Sequence, residues 1–267
     1  MTTELTLIAD FLELAGDYLD RGYRRERQNT VILEGGPELA GRVELTRSPN
    51  LAGDQEFTRG AELARGQELA GDSLERVSSD IAACSACGLA ALRNRAVPGE
   101  GVQNPLALVI GEGPGADEDR EGRPFVGPAG QLLDLMLASI KLFRDKNCFI
   151  ANVVKCRPPH NRDPLPEESA ACASFLARQI ALLKPRAILC VGRVAAQVLL
   201  KSSEGIGRLR GQFAEYQGIP LLPTYHPSAL LRDQSLKRPA WEDLKLLKEK
   251  LAGLDPVYAG ECRETRP

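Results

Sequence analysis

The sequence predicts an α/β fold, a parallel sheet covered by helices on both faces, behind an N-terminal extension of different character. Three observations carry this. Four short apolar runs read as buried strands: LALVIG (106–111), CFIANVV (148–154), AILCVG (187–192) and IPLLPTY (219–225). Segments with helical apolar spacing alternate with them, which is the pattern of strands joined by crossover helices. The alternation begins only after about Leu74, and the chain before it lacks it.

Residues 3–27 place Leu5, Ile8, Leu12, Ala15 and Leu19 at helical spacing, with acids between them and arginines after, so a helix is expected there. From Glu34 to Asp72 short units recur, GGPELAG, NLAGD and GAELARGQELAGD. They carry few large apolar residues and cannot bury much, which predicts a flexible linker with transient helix. A solenoid is the weaker reading, because the units are shorter than solenoid repeats. The expected division is therefore 1–75 as extension, 76–255 as the main domain and 256–267 as a C-terminal tail.

Within the main domain, GPAGQLLDLMLASI begins a helix at Gly127, PEESAACASFLARQIALL at Pro166 and RVAAQVLL at Arg193. PAWEDLKLLKEKLAG runs from Pro239 to Gly253. Pro166 followed by Glu167 and Glu168 is a helix start, because proline suits the first turn and acids suit the positive end of the dipole. Sites in such folds lie beyond the carboxyl ends of the strands. That rule points to Glu112 onward, to Asn152 through Cys156, to Gly192 and to His226.

Charge divides as the pattern does. Residues 1–83 hold 9 Lys+Arg against 16 Asp+Glu, and residues 84–267 hold 25 against 20, balances of −7 and +5. The second part is basic enough to permit a groove that follows phosphates. No run of about 18 apolar residues is present, so no membrane span is expected. The N-terminus, MTTELTLIADFLELAGDYLD, has acids where a secretory signal carries bases, and the expected location is the cytoplasm.

The chemistry concentrates at those strand ends. GEGPG (111–115) is a tight loop whose backbone can approach a ligand and offer N–H groups to a carbonyl or anion, although such loops also serve as plain strand-to-helix turns. Phe125 stands in a polar, Gly/Pro-punctuated loop, where a rigid aromatic suits stacking on a planar base. Asn152 ends an apolar strand and presents a donor and an acceptor together, suited to one edge of a base or to a neighbouring loop.

Lys155, Arg157 and Arg162 follow it, where DNA phosphates would run. Of the two histidines, His226 at a strand end is the candidate donor at a reacting centre, and His160 reads as an exposed loop residue. In the SALLR run, Leu230, Leu231 and Arg232 are candidates for contact with a duplex, as wedges fill the gap left by a displaced base. A helix turn packed on the core is the competing explanation.

Seven cysteines are present. Cys84 and Cys87 form C-x2-C, Cys156 follows the second strand and Cys172 lies in the next helix, so the four are able to converge. Four thiolates suit an iron–sulfur cluster or zinc. Cys190 reads as a buried small hydrophobe. Cys148 and Cys262 have no assigned role.

GEGPGADEDREGRPFVGPAG, NVVKCRPPHNRDP, HPSALLR and the cysteine spacing together give the chain, over residues 84–253, a specific likeness. It resembles the family 4 uracil-DNA glycosylases, the iron–sulfur group found mainly in bacteria and archaea. The resemblance implies a three-layer α/β/α fold with a four-stranded parallel sheet, and hydrolysis of uracil from uracil-containing DNA after base flipping. It implies a [4Fe–4S] cluster on Cys84, Cys87, Cys156 and Cys172, structural in role. It also implies a pocket of Glu112, Gly113, the following loop with Gly115, Phe125, Asn152 and His226, in which Phe125 stacks on the base, Asn152 reads its edge and His226 supports the uracil O2.

Better-known superfamily members carry a carboxylate two residues after the first motif glycine, where this chain has Gly113. Water handling then falls to the nearby carboxylates Glu112 and Glu118, and Glu118 is alternatively placed to crowd the C5 side of the base and exclude thymine. A related group traps the sugar on a histidine in an inserted basic loop and has Gln after that glycine. This chain has Glu112 there and lacks the insertion, so covalent trapping is not expected despite His160. A monomer is expected, with an acidic extension that binds a protein or stays mobile. The rival readings are a non-catalytic iron–sulfur DNA-binding module and a hydrolase of free nucleosides or nucleotides.

Overall fold

The computed structural model describes residues 71–263. The expected helix at 3–27, and all but the last two residues of the repetitive stretch, lie outside the described residues. Helix α1 (Leu74–Ala83) opens on Ser73, whose side chain accepts the Arg76 N–H, and delivers Cys84 at its end. The other elements follow as β1 (Glu100–Gly101), β2 (Ala107–Gly111), α2 (Ala116–Glu121), α3 (Pro128–Ser139), β3 (Cys148–Asn152), α4 (Pro166–Leu183), β4 (Ala187–Val191), α5 (Arg193–Leu200), α6 (Ile206–Leu209), β5 (Ala214–Tyr216), β6 (Ile219–Thr224), α7 (Pro227–Arg232), α8 (Lys237–Leu254) and α9 (Pro256–Arg263).

The sheet is six-stranded and mixed, in the order β1-β3-β2-β4-β6-β5, where the resemblance implies four parallel strands. The four apolar runs are its parallel centre. β1 and β5 add antiparallel edges. They escaped the sequence because two and three residues are too few to show a strand period. β5 depends on its pairing: Gln217 and Gly218 both take positive φ, 52° and 83°, the geometry of a two-residue hairpin turn.

Alternate strand residues feed two cores. Val109, Ile150, Leu189 and Leu222 pack beneath α3, α8 and α9. Leu108, Ile110, Ile188, Cys190 and Leu221 pack beneath α4 and α5. Helices thus cover both faces, as the continuous apolar runs require. Among the described residues no helix is long and apolar enough to cross a membrane.

The expected tail at 256–267 is corrected. Pro256–Arg263 is helical, and Tyr258 is buried in the core with its hydroxyl donating to the Ile140 carbonyl. The stretch has few apolar residues, and one anchoring tyrosine gives no periodic signal. Tyr258→Ala is expected to lower stability by about 3–5 kcal/mol, and Tyr258→Phe by about 1 kcal/mol, in urea unfolding. Two silent variants would show the helix to be a dispensable tail.

Candidate functional site

The four parallel strands end together. Gly111 pairs with Asn152 across β2 and β3, and Val191 pairs with Thr224 across β4 and β6. Beyond this edge lies an open cleft of about 510 Å³ lined by Glu112, Gly113, Gly115, Glu118, Phe125, Asn152 and His226, every pocket residue expected from sequence. Its rim adds Arg162, Asp163, Gly192, Arg193, Ile206, Tyr225 and Arg232.

Asn152 is 1% exposed, and its Oδ1 is buried without a hydrogen-bond partner. An orphaned acceptor facing a cleft points to a ligand that satisfies it, because leaving it unpaired costs about 1–3 kcal/mol. Phe125 lies beside it. A Cβ on Gly111 would stand 2.5 Å from Asn152 Oδ1 and 2.6 Å from Phe125 Cζ, so only glycine allows the two to meet there.

Phe125 is both a pocket wall and a core residue at 6% exposure, which the sequence did not indicate. Its φ of 52° is left-handed, a strained conformation for a bulky residue. Neighbours hold it there. Arg144 donates to the Pro124 and Phe125 carbonyls at 3.0 Å each. Glu118 accepts the N–H groups of Val126 at 2.9 Å and Gly127 at 3.0 Å.

The other Glu118 oxygen accepts the Gly115 N–H at 2.9 Å. Glu118 thus has both oxygens engaged with the backbone and fastens the Phe125 loop, an occupation the sequence did not indicate. Gly115 lines the cleft with its N–H already used, so it is not a free donor to a ligand.

His226 closes the far side, its ring centroid 5.7 Å from that of Phe125 and tilted by 31°. Its Nδ1 accepts the Ser228 N–H at 3.1 Å and lies 2.8 Å from the Ser228 hydroxyl. A main-chain N–H can only donate, so Nδ1 is unprotonated and the ring proton sits on Nε2. Burial, assisted by the Arg232 charge, lowers the His226 pKa to about 4, so the ring is neutral near pH 7. Gly192 at φ 99° passes so close that a Cβ would stand 3.0 Å from His226 Cβ.

Glu112 is half-buried. Desolvation, and then the Asp163 charge, raise its pKa to about 7 against an opposing pull from Arg193. Arg193 and Asp163 form an exposed ion pair across the rim. A Cβ at Gly113 would meet Val154 Cγ2 at 2.8 Å, so no carboxylate fits there until Val154 moves.

Leu230 is fully buried in the core beneath α7, which overturns its expected contact with DNA; the helix-packing explanation holds instead. Leu231 is partly buried against the same core, and Arg232 is exposed at the rim. Arg157 is partly exposed and bonds Asn161 Oδ1 at 2.8 Å. Arg162 grips Glu168 through two bonds of 2.8 and 2.7 Å.

Lys155, expected near phosphates, is 1% exposed. A lysine among polar residues after a strand gives no sign of burial. Ser228, Arg144, Asp163 and Arg193 went unnoticed in the sequence. Only Arg193, directly after a strand-end glycine, carried a positional hint.

The four expected cysteine ligands line one small cavity, with Ile81, Ala90, Ala171 and Phe175 among its other walls. Arg93 donates to Cys156 Sγ at 3.1 Å and to the Ala82 carbonyl at 2.7 Å. Ala86 N–H reaches Cys84 Sγ at 3.4 Å. Burial pushes the Cys172 thiol up to about 11. Among the described residues no three His, Cys, Asp or Glu side chains converge tightly enough to hold one metal ion. Cys148 and Cys190 are buried strand residues.

A family model for the uracil DNA glycosylase superfamily matches residues 98–245. The chain is 40% identical over 189 residues to a type-4 uracil-DNA glycosylase of Saccharolobus solfataricus, covering 68% of this chain and 88% of the relative. It is 39% identical to one of Archaeoglobus fulgidus, covering 70% and 97%. To one of Thermotoga maritima it is 42% identical, covering 66% and 93%.

The contact at Gly111 makes a direct prediction. Gly111→Ala should destabilise the fold by about 1–3 kcal/mol through overpacking. Gly207→Ala, with open space around its Cβ, should not. Equal denaturation midpoints for the two variants would refute the close packing.

Proposed function

This chain belongs to the uracil-DNA glycosylase superfamily and removes uracil from DNA, and from that premise we propose how its pocket does so. The observation that carries the proposal is the orphaned Asn152 Oδ1. Uracil presents an N3–H between two carbonyls, so an amide that accepts from N3–H and donates to O4 satisfies both partners. Cytosine reverses that pattern and leaves the buried amide unpaired, which is how a polar pocket rejects an analogue.

A base inside a duplex cannot reach such a pocket and must be extruded, at a cost of a few kcal/mol. Stacking on Phe125 returns roughly 1–3 kcal/mol of that. As the bond from C1′ to N1 breaks, its electron pair moves onto uracil and spreads to O2, and the sugar becomes cationic. His226, neutral with its proton on Nε2, donates to O2 as charge gathers there. The Glu112 carboxylate takes a proton from the water that attacks C1′. The base leaves as an anion and the DNA keeps an abasic sugar.

Arg157, Arg193 and Arg232 suit the flanking phosphates and Leu231 the gap in the stack. Cys84, Cys87, Cys156 and Cys172 would hold a [4Fe–4S] cluster. The donor set fits it: four thiols around one largely apolar cavity, with Arg93 and Ala86 N–H groups directed at sulfur as donors to cluster thiolates are. Bound there, it supplies a cross-link and fixed charge. The acidity of the extension suits a protein partner rather than DNA.

Single-turnover excision from a uracil-containing oligonucleotide tests the assignments. Asn152→Ala should abolish most activity. His226→Ala should lower the rate about 10²–10³-fold, the worth of one donor to a developing anion.

The base must be a carboxylate, so activity is present above about pH 7 and is lost as pH falls through that value. The decline should be about tenfold per pH unit. His226 adds no second limb before about pH 4. Glu112→Gln should lower the plateau and flatten the profile. A flat wild-type profile from pH 5 to 8 would remove Glu112 from that role.

A further inference from the structure

Lys155 lies three residues beyond Asn152 and is among the most deeply buried large side chains. Its Nζ donates to the main-chain carbonyl of Asn152 at 2.8 Å and to Gln179 Oε1 at 2.7 Å. Gln179, itself 1% exposed, passes the constraint on by donating its Nε2–H to the Pro98 carbonyl at 2.7 Å. The same lysine lines the cysteine cavity together with Cys156 and Cys172. One residue therefore touches both the strand end that presents the base-reading amide and the wall of the cysteine site.

Filling this space needs no charge. A methionine has similar bulk and spares the cost of burying an ammonium, which two neutral acceptors offset only in part. Contact with DNA is excluded by burial. Nζ donates both of its hydrogen bonds to neutral oxygens. Cys172 lines the same cavity, with Cys156 next to Lys155 in the chain.

We propose that Lys155 is a positioning residue for uracil recognition: from the wall of the cysteine site, its Nζ holds the Asn152 main chain, and so the Asn152 amide, in base-reading register. The inference rests on the cluster and pocket assignments above.

The test uses the full chain, purified anaerobically as wild type, Lys155→Met, Gln179→Met and Asn152→Ala. For each, iron and sulfide content, affinity for uracil-free DNA, inhibition by free uracil and single-turnover excision are measured. Lys155→Met should keep its iron and its affinity for uracil-free DNA. Free uracil should inhibit it about tenfold more weakly, the worth of one hydrogen bond from a charged donor, and excision should slow by at least that factor. Gln179→Met should shift uracil inhibition the same way and less, and it carries the test if Lys155→Met does not fold.

Wild-type inhibition by uracil in an iron-replete Lys155→Met protein overturns the proposal. So does parallel loss of iron, DNA affinity and uracil affinity in Lys155→Met while Gln179→Met behaves as wild type, the signature of a scaffold residue. Iron-free wild type, or an active Asn152→Ala, would instead defeat the underlying assignments and the proposal with them.

Discussion

Where β2 and β3 end side by side, the chain has no room for a methyl group. Gly111 pairs with Asn152 across the sheet, and Phe125 folds back over both, within 2.8 Å of where a Gly111 Cβ would stand. The parallel register sets the first pair, and a loop held in left-handed conformation supplies the third member. Each of the loop's fasteners comes from a different place: Glu118 from α2, Arg144 from beyond α3, and Gly130, on which a Cβ would lie 1.9 Å from the Phe125 carbonyl. Strain at one aromatic residue is distributed over several ordinary hydrogen bonds, which is how a rigid aromatic wall persists beside a cleft.

The same dry environment moves two titrating groups in opposite directions. Burial favours the neutral form of each, raising Glu112 to about 7 and lowering His226 to about 4. A carboxylate at the edge of ionisation and a neutral imidazole with a fixed tautomer are what hydrolysis with a departing anion requires of a base and a donor. The opposing charges of Asp163 and Arg193 at the rim modulate the first. The Ser228 backbone fixes the second, from the first turn of α7.

Legibility in the sequence followed the length over which a signal was written. Strand runs of five or six residues and helices of twelve or eighteen declared themselves through periodicity. The two- and three-residue edge strands did not. The candidate site was legible where an unusual residue stood at a strand end, as with Asn152 and His226, both of which line the cleft. It was misread where burial decided the role: Leu230 and Lys155 carry side chains suited to the tasks first assigned them, and packing gave each another.

The sequence by itself determined the α/β class, the strand ends at which a site would form, seven of the residues lining it and the four cysteines that share a cavity. These follow from local pattern and from the topology that the pattern permits. Only the tertiary structure decided which of those residues are free to act. Glu118 accepts from three backbone N–H groups, Leu230 is taken up by the core, and Lys155 by the main-chain carbonyl of Asn152. The physical reason is that a hydrogen bond or a buried contact can be satisfied once, and its partner is chosen by residues far away along the chain.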